Sequence, residues 1–440
     1  MEEMRRAGVV LVVAIVVAVT ACSGQGEGSS GEIAAPPSDP AKVSGGITVL
    51  TNRTDQIADG SLKKYAAEFN KIYPGVKVKF EGLTDYEGET KIRMNTENYG
   101  DVLLIPNSLS VEQYPNFFAP LGSSIKLSAA FDYTDHATVN GKVYGLANIG
   151  VANGFVYNKA VWEKAGIKDW PATPEEFVAD LATIKAKTDA VPYYTNYKDG
   201  WPLTNWTNAI GSPSCDPGAY DSLAKTKEPW SSGSDLHEID KLLYTIVEKK
   251  LSEPDPTTTN WEDSKAQIGS GKVASMWLGS WAISQMRAGA EAAEKNPDDI
   301  AFMPFPAQHE GAYCSVLRPD YQYAVNAHSD NKEAARAWLD WYITKSGQAA
   351  GEGSISSVKG APLPDTLKAF SDNDVTMIPQ RQENVVDVNK IDKASEIGIT
   401  AQGYRQKLVD VARGAADGDM DSYFGELNGK WAEAQQTLGG

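Results

Sequence analysis

The body of the chain opens with alternating strand-like and helix-like patterns of apolar residues. Residues 47–51 form a short β-rich run, and apolar positions at helical spacing then predict a helix over residues 62–73. A Pro-Gly pair ends this helix, and residues 76–80 alternate between apolar and lysine positions, as in a half-buried strand. Residues 102–105 are continuously apolar, which is typical of an inner parallel strand. This βαβ-type order predicts an α/β lobe.

The same two patterns return later in the chain. Residues 151–157 are strand-like, and Thr173 begins a capping box with proline at the first helical position. Residues 273–278 again predict a strand, followed by a helix start at Trp281. Residues 333–345 form a strongly amphipathic helix pattern. The whole body is therefore predicted to be α/β, without internal repeats.

The first residues differ from the rest. Arg5 and Arg6 precede an apolar run over residues 7–19, which is shorter than the ~20 residues needed to span a bilayer. A basic start, a short apolar run and small residues before Cys22 describe a secretory signal. A transmembrane anchor is the alternative, which the short run disfavours.

The residues around Cys22 resemble bacterial lipoprotein signals, in which the cysteine is acylated and becomes the first residue. The resemblance implies that residues 1–21 are removed and that Cys22 carries lipid. Residues 23–45 are rich in Gly, Ser, Pro and Glu, so they bury too little apolar surface to fold. We expect residues 22–45 to form the lipidated cysteine and a flexible tether.

Length and charge bound the rest of the molecule. Close to 400 residues follow the tether, and single cores stop growing near ~250–300 residues, so two lobes are expected. The net charge of −17 argues against binding of nucleic acid and against a protein that lies flat on anionic lipid.

The chain has three cysteines, at positions 22, 215 and 314. If Cys22 is acylated, the other two lie in an oxidising compartment, where a disulfide between Cys215 and Cys314 is the natural prediction. Two unpaired, buried thiols are the alternative, because spacing alone does not determine geometry.

No catalytic motif stands out. The four histidines are scattered without metal-ligand spacing, and the Gly-Ser-Gly-Lys run at residues 269–272 lacks the earlier glycine and the following Ser or Thr of a phosphate-binding loop. Carboxylates are plentiful, but nothing singles out a glycosidase pair. These patterns favour a binding protein over an enzyme, with no metal and no cofactor.

Aromatic residues are concentrated in the middle of the chain. Flat aromatic faces suit the C–H faces of pyranose rings, whereas carboxylates and amides suit sugar hydroxyls. Packing in the core is the alternative role for each of them, because large aromatics are buried on average. The residues concerned are Tyr193, Tyr194, Tyr197, Trp201, Trp206, Trp230, Trp261, Trp277 and Trp281.

Several short motifs follow one another in a fixed order. They include Gly-Asp-Val at 100–102, Val-Tyr-Asn-Lys at 156–159, Lys-Ala-Gly-Ile at 164–167, Gly-Lys-Val-Ala-Ser-Met at 271–276, Gly-Ser-Trp-Ala at 279–282 and Met-Pro-Phe-Pro at 303–306. In this order, from about Gly46 to about Pro362, they resemble the extracellular solute-binding proteins of ABC importers, of the maltose-binding-protein class.

This resemblance implies a periplasmic-binding-protein-like fold with two α/β lobes that close on the ligand about a hinge. The first lobe would comprise residues 46–148 and 306–355, and the second residues 149–305 and 356–440. These boundaries assign Cys215 and Cys314 to different lobes, where a disulfide would hinder closure. Either a boundary is misplaced or the disulfide is absent.

The resemblance also implies site residues. Trp281 corresponds to a stacking tryptophan of the family, with packing beneath the cleft as its alternative role. Asp320 would accept hydrogen bonds from sugar hydroxyls, or alternatively pair with Arg318. The other candidates follow predicted strands or lie near the crossovers between lobes. They are Asn52, Arg53, Asp55, Asn107, Ser108, Asn153, Asp199, Trp201 and Tyr321.

Together these features predict a lipid-anchored, monomeric import receptor outside the cytoplasm, which captures a sugar or oligosaccharide and delivers it to a membrane permease without catalysing a reaction. A peptide, a polyamine or an oxyanion is the alternative ligand. A surface glycoside hydrolase is the alternative from another class, and a purely structural lipoprotein without a cleft is a third.

Overall fold

The computed structural model describes residues 39–381 and 383–439. The predicted signal, Cys22 and most of the predicted tether lie outside the described residues. The first strand begins at Ser44, two residues before the boundary expected at about Gly46. Ser44 and Gly45 already pair with the neighbouring strand, since the backbone bonds of a strand need no apolar side chain. Val43, just before the strand, is also buried.

The strands are bounded as follows, in chain order: β1 (Ser44–Thr51), β2 (Gly75–Gly82), β3 (Val102–Leu104), β4 (Gly122–Ser123), β5 (Thr138–Val139), β6 (Lys142–Val143), β7 (Leu146–Ala147), β8 (Ile149–Asn158), β9 (Ser275–Gly279), β10 (Ile300–Met303), β11 (Gln308–His309), β12 (Ala312–Pro319), β13 (Gln322–Val325), β14 (Ile355–Ser356) and β15 (Thr376–Pro379).

The α-helices are α1 (Thr54–Ala58), α2 (Ser61–Ile72), α3 (Tyr86–Arg93), α4 (Tyr114–Phe117), α5 (Ser124–Ser128), α6 (Lys159–Ala165), α7 (Pro174–Lys187), α8 (Trp201–Thr204), α9 (Ala219–Ser222), α10 (Asp235–Glu248), α11 (Trp261–Gly269), α12 (Ala282–Ala292), α13 (Lys332–Lys345), α14 (Gln348–Gly351), α15 (Lys368–Asp372), α16 (Val385–Ser395), α17 (Gln402–Ala412) and α18 (Met420–Gly439). Short 3-10 turns lie at Pro40–Lys42, Val111–Gln113, Thr134–Ala137, Asn205–Ala209, Pro256–Thr258, Pro297–Asp299 and Asp365–Leu367.

The first lobe, residues 39–147 and 322–352, is built on a sheet of order β2-β1-β3-β13-β7. Strands β1, β2 and β3 are parallel, whereas β13 runs antiparallel to both β3 and β7. Helices α2 and α13 cover this sheet, and Phe69 of α2 meets Trp338 of α13 edge-on at 5.2 Å between ring centroids. The predicted βαβ start and the predicted helix at residues 333–345 are confirmed.

The second lobe, residues 149–319 and 355–439, is built around the long strand β8. The first half of β8 pairs with β12 and β14, and its second half pairs with β9 and β10. Helix α7 packs on this core and begins at the predicted capping box, in which the Thr173 side chain accepts from the Glu176 N–H at 3.1 Å. Within the described residues, none of the helices has the length and apolar character needed to cross a membrane.

The chain crosses between the two sheets at three places. It first passes from β7 to β8 at Asn148. The second crossing lies at residues 320–321 and not at residue 306 as expected, because β12 turns back through a hairpin with β11 and pairs with β8 before the chain reaches β13. A return to the second sheet follows at β14.

A disulfide joins Cys215 to Cys314, with 5.5 Å between their Cα atoms. Because Cys314 lies on β12, both cysteines belong to the second lobe. The disulfide is therefore present, and the boundary expected at residue 306 was misplaced. The bond lies within one lobe and does not tie the two lobes together.

Candidate functional site

A cavity of about 340 Å³ lies between the two lobes, at the crossing segments. Its size falls within the ~300–1,000 Å³ typical of small-molecule sites. The first lobe contributes the residues that follow β3, and the second lobe contributes Trp281, the turn at Asn205–Ala209 and the start of α16. The polar side chains of this lining are Asn107, Ser110, Tyr114, His136, Asn153, Thr204, Asn205, Thr207, Asn208, Tyr220, Arg318, Asp320, Gln322, Gln380, Asn389 and Thr400.

Trp281 stands at the cap position of α12, directly after β9. Its ring lies 5.9 Å from that of Trp201 and 5.7 Å from that of Trp261, so three tryptophans form one cluster of which Trp281 lines the cavity. The turn into α12 depends on Gly279, because a Cβ there would lie 2.5 Å from the indole nitrogen of Trp281 and 2.5 Å from Val151. The glycine therefore leaves the space that the indole occupies.

Three lining residues carry buried polar atoms without a hydrogen-bond partner among the described residues. These atoms are Nδ2 of Asn205, Nε of Arg318 and Oε1 of Gln322. Leaving a buried donor or acceptor unpaired costs about 1–3 kcal/mol, so such atoms favour a ligand that supplies the missing bonds. Two are donors and one is an acceptor, which matches a ligand rich in hydroxyl groups.

The charged groups of the cavity are Arg318 and Asp320, which flank Pro319 at the second crossing. The Arg318 guanidinium donates to Oδ1 of Asn208, and burial lowers the pKa of Arg318. Burial raises the pKa of the Asp320 carboxyl to about 6. Burial, together with the nearby Arg318 charge, lowers the pKa of His136 to about 3, so this histidine is neutral at physiological pH.

Four predicted site residues line the cavity, namely Asn107, Asn153, Trp281 and Asp320. The Asn153 side chain also donates to the carbonyl oxygen of Val316 at 3.2 Å. The alternative role of Asp320, pairing with Arg318, is not a direct contact among the described residues, although the Arg318 charge acts on the Asp320 carboxyl.

The predicted residues that follow β1 do not reach this cavity. Arg53 is held by Asp55 at 2.8 Å and by Glu352 at 2.7 Å, so its charge is neutralised by the protein. Asn52 lies beside this group at the end of β1 and is not part of the lining. The strand-end rule thus holds for β3 and fails for β1.

Ser108 and Tyr321 are not part of the lining, and both donate to Glu87 of α3. The Tyr321 hydroxyl lies 3.0 Å from Oε1, and the Ser108 hydroxyl lies 3.0 Å from Oε2. The backbone N–H of Asn107 also donates to Glu87, at 3.0 Å. Glu87 therefore connects the loop after β3 with the second crossing, a role that its sequence position did not indicate.

Asp199 and Trp201 both contact Trp261 at the start of α11. The Asp199 carboxylate accepts from the backbone N–H of Trp261 at the start of α11. The ring of Trp201 packs edge-on against that of Trp261 at 4.8 Å between centroids and lies 5.9 Å from that of Trp281. Both residues therefore position the tryptophan cluster, and the cavity lining does not include them.

Most of the polar lining, in both lobes, was not indicated by any pattern in the sequence. Many of the missed residues lie in short turns and loops, which carry no periodic pattern, whereas Gln322 lies on β13 and Asn389 lies in α16. The abundance of Asn, Gln and Thr side chains was the only available signal. The missed residues are Ser110, Tyr114, His136, Thr204, Asn205, Thr207, Asn208, Tyr220, Gln322, Gln380, Asn389 and Thr400. No group of three or more His, Cys, Asp or Glu side chains that could hold a metal occurs in the part of the chain that the structure describes.

Comparison with known proteins gives consistent matches. A family model described as bacterial extracellular solute-binding protein matches residues 54–349. The multiple sugar-binding protein of Streptococcus mutans is 24% identical over 346 residues, which cover 73% of this chain and 79% of that protein.

Two solved structures from Bifidobacterium animalis subsp. lactis are also similar. One is a binding protein of an ABC transporter in complex with mannobiose, with 33% identity, a TM-score of 0.84, and coverage of 91% of this chain and 96% of that chain. The other is a manno-oligosaccharide-specific solute-binding protein in complex with mannotriose, with 30% identity, a TM-score of 0.85 and the same coverage.

Proposed function

Because this chain belongs to the bacterial extracellular solute-binding proteins, we propose that it captures an oligosaccharide between its lobes and delivers it to the membrane subunits of an ABC importer. The observation that carries this proposal is the inter-lobe cavity, in which Trp281 stands among polar side chains with unpartnered atoms. An aromatic face beside amide and hydroxyl groups matches a pyranose ring, whose faces are apolar and whose rim is polar.

The ligand class that we propose is a manno-oligosaccharide. Similar proteins of known structure hold mannobiose and mannotriose, at 33% and 30% identity over nine-tenths of this chain. The cavity lining carries one positive group, Arg318, and one negative group, Asp320, which suits a neutral ligand better than a strongly charged one.

Capture would proceed by closure of the lobes. A ligand that contacts both walls binds the closed arrangement better, so it shifts the population towards that state. No chemical step is needed. A glycosidase would require two carboxylates about 5–10 Å apart, and Asp320 is the single carboxylate among the described residues of the lining.

The protein works outside the cytoplasm, as the family does. We propose that Cys22, which lies outside the described residues, carries the lipid anchor, and that a monomer swings above the membrane on the tether. Mass spectrometry of the membrane fraction tests this anchor, because acylation would add the mass of its acyl chains to the peptide that begins at Cys22.

Titration calorimetry with mannobiose and mannotriose tests the proposed function. We expect saturable 1:1 binding by the full chain, and a loss of at least tenfold in affinity for Trp281→Ala, since the aromatic face is removed. Trp170→Phe is the matched control, because Trp170 packs against Tyr313 outside the cavity and its removal leaves the lining intact.

Parallel titrations with raffinose, a tetrapeptide, spermidine and sulfate separate the remaining candidates. Binding of sulfate without binding of any sugar would favour an oxyanion receptor that uses the buried Arg318 guanidinium, and would overturn the proposed ligand class. Release of mannose from mannotriose by the purified protein would instead indicate an enzyme.

A further inference from the structure

The disulfide joins two segments that each continue into the second-lobe wall of the cavity. Cys314 lies on β12, and four residues later the same strand presents Arg318 to the cavity. Cys215 lies in the loop that follows the turn at Asn205–Ala209, and five residues later Tyr220 of α9 lines the same cavity. The bond therefore lies between two parts of one wall.

Besides the disulfide, the loop that carries Cys215 is held by the Asp235 carboxylate, which accepts from the Gly211 N–H and, at 3.0 Å, from the Ser214 hydroxyl. Ser214 and Asp216 on either side are exposed, and Cys215 itself adopts a φ of 55°, a left-handed conformation that non-glycine residues rarely adopt. Backbone bonds within the loop are short-range, such as Asp216 N–H to Gly211 carbonyl at 3.1 Å. The disulfide thus holds this loop against β12 in a conformation that the free chain disfavours.

The loop and helix α9, which follows it, hold a second part of the wall. The Asp221 carboxylate accepts from the backbone N–H groups of Glu383 and Asn384, both at 2.9 Å. The Arg381 N–H donates to the Pro217 carbonyl at 2.8 Å. These bonds position the start of α16, from which Val385 and Asn389 reach the cavity.

We propose that the Cys215–Cys314 disulfide is a positioning bond for the ligand, so that its reduction weakens binding without unfolding the second lobe. This inference rests on the proposed sugar-binding function. Strand β12 keeps its pairing with β8 and with β15 when the bond is cut, so the sheet and the Arg318 position survive. The parts that loosen are the loop around Cys215, Tyr220 and the start of α16.

The reaction is a thiol–disulfide exchange with a dithiol reductant. A thiolate of the reductant attacks the sulfur of half-buried Cys215, since Cys314 is only 1% exposed, and the Cys314 thiolate leaves and takes up a proton. The second thiol of the reductant then closes its own disulfide and releases Cys215. Two electrons pass from the dithiol to the protein, and two protein thiols result.

Calorimetry of the full chain with mannotriose, before and after treatment with dithiothreitol, tests the proposal. We expect about tenfold weaker affinity after reduction, the loss that follows when one or two wall side chains must be ordered on binding. A Cys215→Ser, Cys314→Ser variant should have the affinity of the reduced protein and should not respond to dithiothreitol. Equal affinity of the oxidised and reduced proteins would overturn the inference and leave the proposed function intact.

Hydrogen exchange of the protein without sugar tests independently whether the disulfide orders the cavity wall. We expect faster exchange in residues 211–222 and 383–389 after reduction, with β8 and the first lobe unchanged. If the oxidised protein binds no sugar, the proposed function fails, and this exchange pattern still decides whether the disulfide orders the wall. Equal exchange rates in the oxidised and reduced proteins, or faster exchange throughout the second lobe after reduction, would contradict the positioning role.

Discussion

Replacement of Gly279 by alanine is the sharpest single test of how the cavity is built. The new Cβ would lie 2.5 Å from the indole nitrogen of Trp281, 2.7 Å from its Cδ1 and 2.5 Å from Val151 Cγ1. Ordinary contact begins at 3.4 Å, so the indole would have to move by about 0.9 Å. The strand cannot shift the other way, because Val151 on the neighbouring strand is equally close.

Overpacking of this kind costs typically 1–3 kcal/mol. If the indole yields, we expect most of this cost to fall on ligand binding, because we propose that the Trp281 ring, which lines the cavity, stacks on the ligand. Because about 1.4 kcal/mol corresponds to a tenfold change in the dissociation constant, we expect Gly279→Ala to bind mannotriose about 5–100-fold more weakly.

The assay is calorimetry with mannotriose, combined with denaturant unfolding to monitor stability. Gly429→Ala in α18 is the matched control, since a Cβ there meets no atom within 4 Å. Alanine favours a helix by up to about 1 kcal/mol over glycine, so this variant should be slightly more stable and should bind normally. An affinity of Gly279→Ala within twofold of the parent would refute the reasoning that the position of Trp281 controls binding.

Two further predictions concern the crossing segments. Glu87→Gln should weaken mannotriose binding by about threefold to tenfold, because a neutral amide holds Tyr321 and the loop at Asn107 less firmly than a carboxylate. Calorimetry at pH 7.5 measures this change, and an unchanged affinity would show that Glu87 does not position the loop. Burial raises the pKa of Asp320 to about 6, so the carboxyl destabilises the unliganded fold by about 2–3 kcal/mol above that pH, and stability falls as pH rises from about 4 to 6. Asp320→Asn should therefore be more stable than the parent at pH 7.5 and equally stable near pH 4. It should bind mannotriose at least tenfold more weakly, since a charged acceptor is lost. A variant that is more stable in thermal melts and also binds as tightly as the parent, or more tightly, in calorimetry would contradict a ligand-binding role.

The elements of the fold were largely predictable, but the assignment of strands to sheets was not. The buried pattern at residues 313–316 predicts a strand equally well for either lobe. Its assignment depends on pairing with Val151 and Ala152, more than 160 positions earlier in the chain, which periodicity cannot detect. The disulfide between Cys215 and Cys314 carried this information, because it is compatible with closure only if β12 belongs to the second lobe.

The lining of the cavity was predictable in part, for a similar reason. Asn107 and Asp320 could be found because they follow strands of the first sheet or lie at its crossing. Arg53 follows a strand as well, but Glu352, some 300 residues away, neutralises it, and only the folded chain brings the two together. The wall at Asn205 and Asn208 lies in a 3-10 turn, where polar side chains follow no period and resemble those of any loop.

The distribution of unpartnered atoms explains why a ligand would bring the lobes together. Nδ2 of Asn205 and Nε of Arg318 belong to the second lobe, whereas Oε1 of Gln322 belongs to β13 of the first. If the lobes close around a ligand that bonds to one wall alone, at least one of these atoms stays buried and unpaired, at a cost of about 1–3 kcal/mol. A ligand that reaches all three removes that cost only when both walls surround it. The difference in free energy between these two situations is the term that shifts the population towards the closed state, and a sugar with hydroxyls on opposite edges can supply it.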